Sequence, residues 1–467
     1  MYKKTMAGLL AAGVAFSFQG AMAQGPAQAP NVQSSSAFDN KVIKKISADN
    51  MYSTVAKLSQ QPREAGTPGE LTGAQYIKSQ FEKYGYETEL QPFPFYETKA
   101  ENVSGSLTVN RQSYTYTPHV FSGSYSSEVT GQILYVGKAL AGSVPDEVKG
   151  KIALIERGDI PFFEKIQNVL NKGAIGVIMF NSIEGTNQFG QASYGQNIPA
   201  VAITKGEGLA LVEKLKTETL TSTIKVSGSG YVEKTSYNVI AKLKPHKNKD
   251  NGQVVMVGAH HDSVRGGPGA NDDASGVSAV LELARVMANM PTDTELRFVT
   301  FGAEEKGLLG SYHYAGTLSD QEADRIVAHF QMDMIGSKDA GGDNPAGGLI
   351  MYTIDGKKNL VTDLGASAGA RTAAAEVIPY GKLGRSDHQP FHELGIPAAL
   401  FIHSPVEEWY HTPADTIDKI DKNKLQETAE IVGASVYQIA RPDTPALDHA
   451  RVAPGPVDYD FENRPVQ

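Results

Sequence analysis

The sequence predicts an α/β protein, a mixed, mostly parallel sheet flanked by helices, with a β-rich domain inserted into it. Three observations predict this. From residue 237 to 440, apolar β-branched runs alternate with helix-length segments, the pattern of strands joined by crossover helices. Between about 102 and 230 the texture changes: Ser, Thr, Tyr and Gly rise and the apolar runs shorten. Residues 254–290, VVMVGAHHDSVRGGPGANDDASGVSAVLELARVMANM, join a buried-strand pattern at 254–259 to a helical pattern at 274–290. On that helix Val277, Val280, Leu281, Ala284 and Met287 share one face. The glycine-bearing loop between them holds His260, His261, Asp262, Asp272 and Asp273. Ligands of open α/β sheets bind at the carboxyl ends of the strands, where this loop lies.

The bulk numbers set limits. At 467 residues the chain is long enough for two domains, and 40% hydrophobic with 20% charged residues suits a globular protein. A net charge of −9 gives no footprint for nucleic acid or anionic lipid, and a monomer is expected. There are no cysteines, which removes thiolate nucleophiles and Cys-type zinc sites. Any metal must be held by His, Asp and Glu.

Residues 1–23 read as a secretory signal, with Lys3 and Lys4 first, a short apolar run to Phe18, and Ala21-Met22-Ala23 as the cleavage pattern. The run is too short for a membrane anchor, so the protein is expected to be secreted, extracellular or periplasmic. Residues 24–37 read as disordered or a pro-segment. A helix is expected over 38–58 and another over 71–84, with Ala74, Ile77 and Phe81 on one face and Gly85 as its stop. A strand follows at 86–95. These elements (38–101) belong with 231–440 as one body. The insert, 102–230, is expected to hold strands at 132–136, 151–155, Gly176–Phe180 and 200–204 and one helix, 161–172. Residues 441–467 are polar with five prolines and read as a disordered tail.

Four more clusters each follow an apolar run or sit in a glycine-bounded loop: Glu304-Glu305 after 296–301, Asp333 after Ile326–Met332, Arg385-Ser386-Asp387-His388, and Tyr410-His411 after 398–402. Each alone has a plain explanation. Asp272 and Asp273 sit where helix caps sit, acidic pairs are usually solvated, and a lone His is usually structural. Jointly they place metal-type ligands at strand ends that face one crevice. Two metals about 3.5–4 Å apart need a shared ligand, and a carboxylate bridges well. A further carboxylate must stay free as general base. Successive residues point in different directions, so the pair Glu304-Glu305 can supply both a ligand and a base.

Read together, the motifs GAHHDS, GANDDASG, FGAEEKGLLGS, MDMIG, GRSDHQPFHELGIP and WYHTPADTID resemble the secreted dizinc aminopeptidases of metallopeptidase family twenty-eight. The likeness covers roughly residues 48–440. VKGKIALIERGDIPFFEKI and NKGAIGVIMFN resemble a protease-associated (PA) domain, which carries no catalytic residue; a β-rich lobe of the main domain is the alternative. The resemblance implies a zinc aminopeptidase fold with two zinc ions per chain. It implies His260, Asp272, Glu305, Asp333 and His411 as ligands, with Asp272 the bridge. Glu304 is implied as general base, Tyr410 as oxyanion stabiliser, Asp262 as the carboxylate orienting His260, and Arg385 as a substrate contact. His261 falls at the variable position of the motif and is not expected to bind metal. A cis peptide bond between Asp272 and Asp273 is also implied. Lys306 departs from the family, where an apolar residue is more usual after the acidic pair. The function implied is hydrolysis of the first peptide bond of peptides with a free N-terminus. Rivals are a carboxypeptidase, dipeptidase or glutaminyl cyclase relative of the same fold, and a non-catalytic receptor-like relative.

Overall fold

The computed structural model describes residues 32–110, 112–116, 118–185, 196–245, 249–338, 348–372, 376–448 and 451. The signal reading of 1–23 and the segment 24–31 lie outside the described residues.

The described residues open on two helices, α1 (Val32–Ile43) and α2 (Ala48–Leu58), where one was expected over 38–58. Ser47 causes the break. It is extended, its side chain accepts the Asn50 N–H, and its own N–H donates to Glu282 Oε1 at 2.7 Å. A residue held as an N-cap cannot continue the helix before it. Helix α1 also begins inside the stretch expected to be disordered, so 32–37 are helical. In α3 (Pro68–Tyr84) Thr67 caps the start, and Gly85 ends it at φ 90°. Ala74, Ile77 and Phe81 form the buried face, as the spacing predicts. Phe81 packs with Tyr86 and Phe298 at ring separations of 5.9 and 6.4 Å; deleting a ring from such a core costs about 3–5 kcal/mol.

Strand β1 (Glu87–Val109) runs far past the end expected at residue 95. The insert then supplies β2 (Gln112–Tyr116), β3 (His119–Val120), β4 (Glu128–Tyr135), β5 (Ile152–Glu156), helix α4 (Phe162–Asn171), β6 (Gly176–Phe180), β7 (Ala200–Ile203) and helix α5 (Lys205–Leu215). Strands β4 to β7 are parallel neighbours in that order, and β3 closes the edge antiparallel to β7. One helix was expected here; α5 is the second, and Thr204 with Glu207 forms a reciprocal capping box at its start. Strand β8 (Thr221–Leu243) returns along β1 as its antiparallel partner. The two 23-residue strands make a ribbon that pairs with the insert through β4 and with the body through β10.

The body continues as β9 (Val254–His260), α6 (Ala274–Met287), β10 (Glu295–Phe301), α7 (Leu309–Thr317), α8 (Asp320–Arg325), β11 (Ile326–Met332), β12 (Gly348–Thr353), α9 (Leu360–Gly369), β13 (Tyr380–Lys382), α10 (His388–Glu393), β14 (Ala398–Ser404) and α11 (Lys422–Ala440). Its strand order is β13-β12-β14-β11-β9-β10-β8. Strands β14, β11, β9 and β10 are parallel neighbours, while β12 and β8 flank them antiparallel. This is the mixed, mostly parallel sheet expected. Helix α6 packs on β9, β10 and β11 beneath α2, α3 and α11. One apolar face was expected, but every residue of α6 except Arg285 is buried, because helices enclose it from above.

Residues 441–448 and Arg451 are not the loose tail expected. Gln253 and Leu447 exchange hydrogen bonds of 2.8 and 2.9 Å, and Arg451 pairs with Asp320 and Asp324, each at 2.8 Å. Among the described residues no helix is long and apolar enough to cross a membrane.

Candidate metal centre

The four parallel strands end side by side, and the polar clusters follow those ends. His260 closes β9, Glu304 and Glu305 lie just past β10, Asp333 directly follows β11, and Tyr410 and His411 lie beyond β14. Asp273 ties three of these elements together. Its carboxylate accepts N–H groups from Gly276 at the start of α6 (2.8 Å), from Met334 (3.2 Å) and from His260 (3.2 Å). Gly276 is required there, since a Cβ would collide with that carboxylate and with the Met332 carbonyl. The Asp272–Asp273 peptide bond is cis.

Two groups of ligand-type atoms result, each compact to within 4.8 Å: His260, Asp272 and Asp333, and Asp272, Glu305 and His411. Asp272 belongs to both. His260 Nε2 lies 3.0 Å from Asp272 Oδ1 and 3.5 Å from Asp333 Oδ1. His411 Nε2 lies 3.2 Å from Asp272 Oδ2 and 3.1 Å from Glu305 Oε2. All five residues expected as ligands are thus brought together. Glu304 joins neither group, although its buried carboxyl feels His260, Glu305 and Asp333. Asp262 is doubly placed: Oδ1 is 3.5 Å from His260 Nδ1, and its two oxygens accept the N–H groups of Glu304 (3.0 Å) and Glu305 (3.2 Å). It therefore orients the acidic pair as well as the histidine.

Tyr410 is 39% exposed and stacks on the His411 ring at 3.7 Å. Arg385 is exposed at φ 71° beside Ser386, whose hydroxyl donates to Asp333 Oδ2 at 2.8 Å. His261 faces away, with Nδ1 3.1 Å from Thr300 Oγ1 and Nε2 4.0 Å from Glu70. Burial pushes His261 down to about 4, so the ring is neutral.

Several supports were not anticipated. Asp415 accepts the N–H groups of Asn271 (2.8 Å) and Asp272 (3.0 Å), and Glu407 accepts the Asn271 amide at 2.6 Å. These bonds latch the His411 segment to the Asp272 segment. The buried Arg63 guanidinium donates to the carbonyls of Leu58, His261, Pro268 and Gly269 at 2.7–2.9 Å. It holds the loop between His260 and Asp272 and adds positive charge behind an acidic site.

The electrostatics fit a cation. Burial raises Glu305 to about 7, with Asp272 adding to the rise. Burial also raises Glu304 well above the usual carboxylate range, with Glu305, Asp387 and Asp333 pushing the same way against His260. At Asp272, burial acts upward but the hydrogen bonds of His260 and His411 win and lower it. Glu305 Oε1 and Asp333 Oδ1 are buried without a hydrogen-bond partner. Buried carboxylates so crowded need compensation, and donors of imidazole and carboxylate type in groups of three suit zinc.

Comparison with known proteins agrees with this geometry. The model of peptidase family M28 matches residues 238–436, and that of the PA domain matches 125–211. The aminopeptidase YwaD of Bacillus subtilis is 38% identical over 84% of this chain and 85% of its own length. The chain belongs to peptidase family M28. Among solved structures, an aminopeptidase from Aneurinibacillus sp. strain AM-1 is 49% identical with a TM-score of 0.70, covering 90% of this chain and 99% of its own. A zinc aminopeptidase from Bacillus subtilis is 36% identical with a TM-score of 0.58, covering 85% and 96%. The M28 match spans the body strands that carry the site, and the PA match lies within the insert, between the long strands of the ribbon.

Proposed function

We propose that this M28 chain is a zinc-dependent aminopeptidase that releases N-terminal residues from peptides, with two zinc ions per chain and Glu304 as general base. The observation that carries the reading is that one carboxylate, Asp272, is shared by two ligand groups while Glu304 stands beside both and belongs to neither. His260, Asp272 and Asp333 would hold one ion, and Asp272, Glu305 and His411 the other. Zinc bound there supplies Lewis-acid polarisation of the scissile carbonyl and makes water a nucleophile near neutral pH.

The chain's own residues do the rest. The Glu304 carboxylate takes a proton from the attacking water and delivers it to the leaving amine. Burial raises its proton affinity, which suits a group that must hold that proton between the two steps. Tyr410 donates its hydroxyl to the oxyanion. Burial and the surrounding carboxylates raise its pKa, so it stays a donor through the working pH range. Asp262 keeps His260 and the acidic pair in register. Arg385 contacts the substrate. The glutaminyl cyclase alternative needs one zinc and leaves the shared Asp272 unexplained.

The sequence pattern of residues 1–23 supports secretion to the extracellular space or periplasm. We assign 38–101 and 231–440 to the peptidase body and 102–230 to an insert that shapes access and supplies no ligand. The working form is a monomer acting on peptides, with no nucleic acid or membrane partner.

The test is turnover of a panel of aminoacyl-arylamides. Compounds with a free α-amino group should be hydrolysed and their N-acetyl forms should not. A chelator should abolish turnover and zinc should restore it. Equal hydrolysis of the acetylated compounds, or activity indifferent to chelation, would overturn the proposal.

A further inference from the structure

The turn carrying Glu304 and Glu305 is closed by the Gly307 and Leu308 N–H groups, which donate to the Glu304 carbonyl at 2.8 Å, and by Asp262, yet it holds strained backbone. Ala303 and Leu308 lie in the left-handed region at φ 52° and 61°. Non-glycine residues persist there only where surrounding contacts enforce it. Beyond Asp262, contacts that include the ribbon flank the acidic pair on both sides. Before it, Ala303 packs in a small apolar cluster with Ala65 and with Phe93 and Phe95 of β1. After it, Lys306 Nζ lies 2.9 Å from Glu97 Oε1, also on β1, and 3.3 Å from Glu64 Oε1. The other Glu97 oxygen pairs with Lys234 of β8. Glu97 stands opposite Val232, midway along a ribbon that pairs with the body at Leu243 and with the insert at Lys225.

An isolated surface pair of this kind contributes little. This one differs in three respects. Lys306 is only 27% exposed, it joins a network of two lysines and two glutamates, and it directly follows Glu305. We propose that Lys306 is a positioning residue for the hydrolytic reaction: through Glu97 it locks the acidic-pair turn to the insert-bearing ribbon, so the ribbon's placement sets how well Glu304 is aimed. Lys306 touches neither substrate nor metal. It acts on catalysis by geometry, and it makes the ribbon the route by which the insert influences turnover. The inference rests on Glu304 being the base.

The experiment uses the full chain. Lys306→Met should lower kcat about tenfold with KM within about twofold and zinc content unchanged, since a small misplacement of a reacting group costs rate rather than affinity. Lys306→Arg, which keeps the ion pair, should recover most of the loss. Glu97→Gln should lower kcat in the same way, and the double variant should be little worse than either single one, because both break one link. Unchanged kcat in Lys306→Met, strictly additive losses, a loss confined to KM, or loss of zinc would each overturn the proposal. If Lys306→Met does not fold, the ribbon variant Glu97→Gln gives the same decision alone. Glu304→Gln measured alongside keeps the two readings apart. Should it retain kcat, the base assignment fails; should it lose kcat while Lys306→Met does not, only the coupling fails.

Discussion

Glu304→Gln is expected to keep its zinc and lose its turnover. The substitution preserves side-chain size and removes the carboxylate that accepts the proton. Glu304 belongs to neither ligand group, so both groups stay intact. Its N–H bond to Asp262 is a backbone contact and also survives. The fall in kcat should be at least the roughly 10²–10⁴ that general acid–base groups contribute. Glu305→Gln should behave differently. It weakens the group that lies 3.1 Å from His411 Nε2, so zinc affinity should drop and added zinc should partly restore activity. Zinc content and kcat on both purified variants decide the matter. Near-normal kcat in Glu304→Gln, or zinc loss equal to that of Glu305→Gln, would reverse the assigned roles.

Asp272→Asn is expected to be the most damaging single change to the metal centre. Asp272 faces His260 through one oxygen at 3.0 Å and His411 through the other at 3.2 Å. An amide keeps the shape but puts a neutral, one-oxygen group where a bridging carboxylate is needed. Altering residues that merely orient a ligand costs 10–100-fold in metal affinity, so a shared ligand should cost at least about 100-fold. Both ions should be affected. Asp333→Asn, by contrast, disturbs one group and should spare the other. Zinc content after dialysis separates the two variants. Thermal unfolding gives a second readout, because bound zinc stabilises the folded state and that gain should shrink most in Asp272→Asn. Retention of two ions and normal kcat by Asp272→Asn would remove the bridge from the account.

The parallel strands β9, β10, β11 and β14 were legible because a strand buried on both faces is a short apolar run, whereas β12 and β13 at the sheet's edge, only partly buried, were not. The sequence also showed Glu304-Glu305 and Asp333 just after such runs, whereas the ligand roles, including those of Asp272 and His411, came from the resemblance of the motifs. Elements that depend on distant partners were harder to see. The break between α1 and α2 rests on Ser47 meeting Glu282, far away in sequence. Helix α5 was missed although its signal, Thr204 with Glu207 three residues on, was present in the sequence. Strand β1 was expected to end at Phe95, but it continues to Val109 along its distant partner β8. There β1, with Pro92 and Pro94 in it, pairs on one side only, with β8. Arg63 left no signal, because its partners are backbone carbonyls. The same holds for the second role of Asp262, which meets backbone N–H groups. The polar, proline-bearing stretch after Ala440 reads as disordered by composition, yet Leu447 and Arg451 find specific partners on the body.

The central claim is the pair of ions sharing Asp272. Diffraction from crystals of the zinc-loaded protein, recorded at the zinc absorption edge, tests it most directly. The account predicts two anomalous peaks per chain, one among His260, Asp272 and Asp333 and one among Asp272, Glu305 and His411. A single peak in a fully active preparation, or peaks that leave Asp272 uncoordinated, would contradict it.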